Sequence, residues 1–178
     1  MKSIFIFLIF VFTGLSFDRL NIFKYCIAAS VLHECGHIAA YRFIAGTMPE
    51  IKISVFGFRM KNNVSLNKRY SLILFSGPLA NLTAATIFRV INLFSFHIHF
   101  YIFSIVNSVL FVFNMLPVFF LDGGQILYAE SAFYRKNYRI ISMFSVLFIA
   151  VMVFRFTDNI AGLMLFIMYF TFNILNDV

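Results

Sequence analysis

Residues 30–46 read Ser-Val-Leu-His-Glu-Cys-Gly-His-Ile-Ala-Ala-Tyr-Arg-Phe-Ile-Ala-Gly. The stretch is mostly apolar and helix-length, and within it His33 and His37 stand at i and i+4. On a helix that spacing puts two imidazoles one turn apart on one face, where both can reach a single zinc ion. Glu34, directly after the first histidine, is placed to act as a general base on a water. A carboxylate and two imidazoles are costly inside an apolar span, and residues of that kind mark function by default.

The surrounding chain is of the same character. Of its 178 residues 62% are hydrophobic and only 12% charged, where roughly 25% charged is usual for a soluble domain. Mean hydropathy is +0.92. Apolar runs recur from end to end, so the whole of 1–178 is expected to form one membrane-embedded domain. The net charge of +7 is better assigned to topology and lipid headgroups than to nucleic acid.

Six candidate spans follow, at about 3–18, 22–45, 70–94, 99–128, 138–155 and 159–176. The first could be a cleaved leader, but no small-x-small site follows it and a retained span fits better. Ten basic residues (Lys2, Arg42, Lys52, Arg59, Lys61, Lys68, Arg69, Arg135, Lys136, Arg139) then share one side, against Arg19, Lys24, Arg89 and Arg155 on the other. The positive-inside rule favours cytoplasmic termini. The one substantial loop, 46–69, carries period-2 alternation on both sides of Gly57. That pattern predicts a short β-hairpin at the membrane surface, either a plain connector or an edge that pairs with an extended peptide.

Cys26 and Cys35 are expected to be reduced and buried, with Cys35 on a different helix face from the histidines. His97 and His99 read as a solvated pair in the loop before the fourth span. Among the seven acidic residues, Glu34 and Asp122 are the two with apolar sequence close by. A catalytic zinc site typically has three protein ligands and one open position. Asp122, in Leu121-Asp122-Gly123-Gly124, is the best third ligand, with a helix cap as its other reading. Pro117 cannot donate to the carbonyl of Phe113, so the fourth span should kink there. Asn114 either repairs that break or donates its amide to a substrate carbonyl or oxyanion. Asn81, in Ser76-Gly77-Pro78-Leu79-Ala80-Asn81, is either a polar tie between helices or a contact near the site.

Taken together, His33-Glu34-x-x-His37, Asn114-x-x-Pro117 and Leu121-Asp122-Gly123, with Ser76-Gly77-Pro78-x-x-Asn81, resemble the site-2 protease family of intramembrane zinc metalloproteases. The motifs cover about residues 30–128. The six-span layout without an inserted PDZ domain is most similar to the compact branch that cleaves a membrane-associated pro-sigma factor during sporulation. Phe120 departs from the pattern, since related chains often carry proline before Leu-Asp-Gly. The resemblance implies an all-α polytopic membrane protein of about six helices. It implies one zinc ion held by His33, His37 and Asp122, with Glu34 as the catalytic base and Asn81 and Asn114 as substrate or oxyanion contacts. The implied setting is the lipid bilayer of a bacterial cell membrane. The implied partners are a membrane-embedded or membrane-associated protein substrate and regulatory membrane proteins, with no nucleic acid. A membrane protein that binds zinc for transport or sensing without proteolysis is the alternative function, and a family member that only holds a client protein is another.

Overall fold

The structure, a computed structural model, describes residues 22–48, 50–54, 57–61 and 68–157. In chain order these form α1 (Phe23–Ala45), β1 (Glu50–Ser54), β2 (Gly57–Lys61), α2 (Lys68–Phe94), α3 (Ile98–Asn114), α4 (Asp122–Glu130) and α5 (Ala132–Thr157). The first and last expected spans lie outside the described residues. The chain divides into two compact units between Phe113 and Asn114.

In the first unit α1 packs on α2. The buried residues of α1 are Ala29, His33, His37 and Tyr41, a single stripe repeating every four positions, as expected of one helix face. The same rotation turns Cys35 outward. Cys26 is only partly buried and Cys35 is exposed, both as free thiols, so the expectation of two buried cysteines is corrected. Gly46 ends α1 in the left-handed region at φ 71°, donating its N–H to the Arg42 carbonyl, a conformation glycine adopts without a Cβ penalty.

Strands β1 and β2 pair antiparallel, with Ile51 opposite Met60, Ile53 opposite Phe58 and Lys52 opposite Arg59. Within α2, the segment Arg69–Phe94 is long and apolar enough to cross a membrane by length and composition. Helix α3 is apolar but shorter, at 17 residues. It meets α2 near their connecting turn, where Phe88 stacks on Phe100 and Phe103 with ring centroids 5.2 and 5.0 Å apart. His99 is no loop residue: it lies in the first turn of α3 and shares a 2.5 Å hydrogen bond between its Nδ1 and the Tyr25 hydroxyl at the start of α1.

The second unit corrects the expected fourth span. The helix does not kink at Pro117 and continue. It stops at Asn114, passes through a non-helical stretch over 115–121, and restarts as α4 at Asp122. The restart follows an extended Leu121 at φ −96° and ψ 159°. A Cβ on Gly123 would lie 2.4 Å from the Met115 carbonyl oxygen, and one on Gly124 would lie 2.0 Å from that of Val118. Only glycine permits this return of the chain onto itself. Ser131 then caps α5, accepting a hydrogen bond from the Tyr134 N–H through Oγ. Arg135 donates to the Tyr128 and Ala129 carbonyls at the end of α4, where a cation also complements the helix dipole.

Candidate metal centre

His33 and His37 are 8% and 4% exposed. Their Nε2 atoms are 3.1 Å apart and their rings meet edge to face at 87°. Two nitrogens bound tetrahedrally to one zinc at about 2.0–2.1 Å each would stand roughly 3.3 Å apart. The pair is therefore already close to the spacing of two ligands on one ion.

The orientation of His37 is fixed from behind. Its Nδ1 donates to the Ile73 carbonyl at 2.8 Å, which leaves Nε2 as the lone-pair nitrogen. A backbone carbonyl on the far nitrogen of a metal-binding histidine fixes the tautomer and raises its basicity as a ligand. The same carbonyl accepts the Ser76 hydroxyl at 2.6 Å.

Helix α2 presents a matching stripe of Ile73, Gly77 and Asn81, each four residues from the next, with Ile73 and Asn81 almost wholly buried. A Cβ at Gly77 would fall 2.3 Å from the His37 Nε2, and one at Gly36 would fall 2.6 Å from the Ser76 carbonyl oxygen. The two glycines thus let the helices approach closely enough for an α2 carbonyl to hold an α1 imidazole. The Ser76-Gly77-Pro78 sequence signalled close packing. It did not reveal the carbonyl partner of His37, because a backbone acceptor on another helix leaves no mark in the residue pattern.

Glu34 is half-buried beside His33 on α1. Asn81 is 0% exposed, and neither atom of its amide has a hydrogen-bond partner among the described residues. A buried amide without a partner costs about 1–3 kcal/mol.

The remaining expected site residues belong to the second unit. Asn114 is the last residue of α3, and Asp122 is the first of α4, half-buried, with Gly123 and Gly124 buried behind it. The stretch leading into Asp122 is clamped by α5. Tyr134 donates its hydroxyl to the Pro117 carbonyl at 3.0 Å, and the Phe119 N–H donates to Ser142 Oγ at 3.0 Å. Phe119 also stacks on Tyr128 and Tyr138. Ser142 is fully buried, so Ser142→Ala should leave the Phe119 N–H without its acceptor and cost about 1–3 kcal/mol. Thermal unfolding in detergent micelles reads this as a lowered midpoint. An unchanged midpoint for the alanine variant would remove the clamp.

Within this helical fold two histidines converge on one helix face, and a backbone carbonyl orients the second of them. No protein-family model matches the chain, and no curated protein matches it. Among solved structures it is similar to the site-2 protease from Methanocaldococcus jannaschii, with a TM-score of 0.60 and 21% identity, over 96% of this chain and 85% of that one. The likeness is one of fold.

Proposed function

We propose that the chain is an intramembrane zinc endopeptidase acting on transmembrane or membrane-associated proteins. The observation that carries this reading is the histidine pair on α1, with converging Nε2 atoms, one ring held by the Ile73 carbonyl, and a carboxylate between them in sequence. The site-2 protease fold supports it. Asp122 is proposed as the third ligand, on the strength of its Leu-Asp-Gly motif and of the glycine-packed turn that delivers it. The donor set of two neutral imidazoles and one carboxylate suits zinc and leaves one position open.

Zinc bound there would supply a Lewis acid for the scissile carbonyl and acidify an attacking water. Glu34 would take the proton from that water and later hand it to the leaving amine nitrogen, a transfer worth about 10²–10⁴ in rate. The Asn81 amide, buried and unspent, would donate to the oxygen that gains charge, and Asn114 is the second candidate for that role. The β1–β2 ribbon supplies an edge on which an unwound substrate strand could pair. In this reading the protein sits in a bacterial cell membrane as about six helices with cytoplasmic termini. A membrane-bound pro-sigma factor is the narrower substrate suggested by the motif order, and regulatory membrane proteins are the proposed further partners.

The test compares the membrane proteome of host cells carrying wild type or Asp122→Asn, alongside the zinc content of each purified chain. Asparagine keeps the size of the side chain and removes the charge. Uncut membrane precursors should accumulate with the variant, and its zinc content should drop below one ion per chain. Equal zinc content together with an identical proteome would sink the assignment.

A further inference from the structure

Away from the histidine stripe, α2 and α3 leave an open groove of about 480 Å³. Leu82 and Val90 line it from α2, and Ile105 and Val109 from α3. Two of its hydroxyls are already engaged. Thr86 donates to the Leu82 carbonyl and Ser108 to that of Ser104, each bond staying within its own helix. The Leu82, Val90, Ile105 and Val109 walls are apolar, and the groove lies beside a helix that is long and apolar enough to cross a membrane.

One group in the groove is different. Arg89 lines it five residues before α2 ends at Phe94, so it stands about 7–8 Å from the helix end. Its guanidinium lies over the Tyr101 ring, 4.9 Å from the centroid. That ring, not a carboxylate, is its partner among the described residues. A cation so placed sits at headgroup depth, where arginine and tyrosine are favoured. Its planar donor fork suits a phosphate.

We infer that this groove is a binding site for one anionic phospholipid, with its phosphate on Arg89 and an acyl chain along Leu82, Ile105 and Val109. Charge complementarity selects the occupant: the site offers a guanidinium at the mouth and hydrocarbon below it. A wholly apolar peptide helix would leave the cation without an anion. The inference rests on the membrane placement proposed above and not on proteolysis, so a chain that holds the lipid yet cleaves nothing would leave it standing.

Native mass spectrometry of the full chain in detergent, titrated with phosphatidylglycerol or phosphatidylcholine, tests it. Wild type should keep one phosphatidylglycerol and release phosphatidylcholine more readily. Arg89→Gln should weaken phosphatidylglycerol about five- to tenfold. Val109→Trp, filling the groove from an exposed position, should abolish the tight adduct, whereas Val112→Trp, equally exposed on α3 and outside the groove, should keep it. The inference is overturned if wild type holds no such adduct, if both lipids bind alike, or if the Arg89 and Val109 variants match wild type.

Discussion

Glu34→Gln should bind zinc as wild type does and lose cleavage by about 10²–10⁴-fold, the range removed with a general acid–base. Glutamine has the size of glutamate and retains one acceptor oxygen, so α1 and its buried stripe should be undisturbed. His33 and His37 keep their nitrogens, and Ile73 still orients the second ring. What is lost is a carboxylate that can accept a proton at the moment of attack and return it to the amine. A thousandfold loss corresponds to about 4 kcal/mol of transition-state stabilisation. The variant also separates the two functional readings. A protein that transports or senses zinc has no use for a proton shuttle beside its first ligand, and should work normally with glutamine there. The measurement is zinc content by elemental analysis together with cleavage of a co-expressed membrane substrate. Undiminished cleavage would falsify the role given to Glu34.

Gly77→Ala should do the reverse, sparing Glu34 and disabling the metal site. By helix propensity alone the change is favourable, since alanine stabilises a helix interior by roughly 1 kcal/mol over glycine. Sterics oppose it. The added methyl would stand 2.3 Å from His37 Nε2 and 2.5 Å from Cε1, well inside contact distance. The least costly escape is for the imidazole to swing away, and that movement breaks its bond to the Ile73 carbonyl and its convergence with His33. Loss of such an orienting contact typically costs 10–100-fold in metal affinity. We expect a helical, folded protein with zinc affinity reduced at least that far, read by competition against a chelator of known affinity. Wild-type affinity in the variant would show that His37 has another rotamer able to bind.

The histidine pair was legible because the i, i+4 spacing by itself fixes a shared helix face, and the face so defined is the buried one. The extent of α1, Phe23–Ala45, also follows the apolar span expected at about 22–45. The break after Asn114 was only half legible. Pro117 announces a lost N–H, which a kinked helix could tolerate. What turns the kink into a stop is the packing of Gly123 and Gly124 against carbonyls of Met115 and Val118. The adjacent glycines signalled close approach but not the partner, because that partner is backbone. The pairing of His99 with Tyr25, 74 residues away in the chain, could not be read from local composition, which made the two loop histidines look solvated. In each case periodicity and residue type defined the helix face, and tertiary contact defined what touches it.

The stripe on α1 has a consequence for how the protein is made. Glu34 falls at the midpoint of α1, between the two buried histidines. On the membrane reading, an acidic residue at the centre of a helix costs about 2.5–3.5 kcal/mol during insertion. Neither it nor the imidazoles have their cover when α1 is first synthesised. Helix α2 carries Ile73, 36 positions after His37, and by length and composition it is apolar enough to cross a membrane. Synthesis therefore delivers the polar helix before the helix that shields it, and on that reading α1 lacks its cover until α2 follows. On that reading stable integration of α1 is a property of the α1–α2 pair, and weakening that helix contact should lower the yield of inserted protein before any effect on activity could be measured.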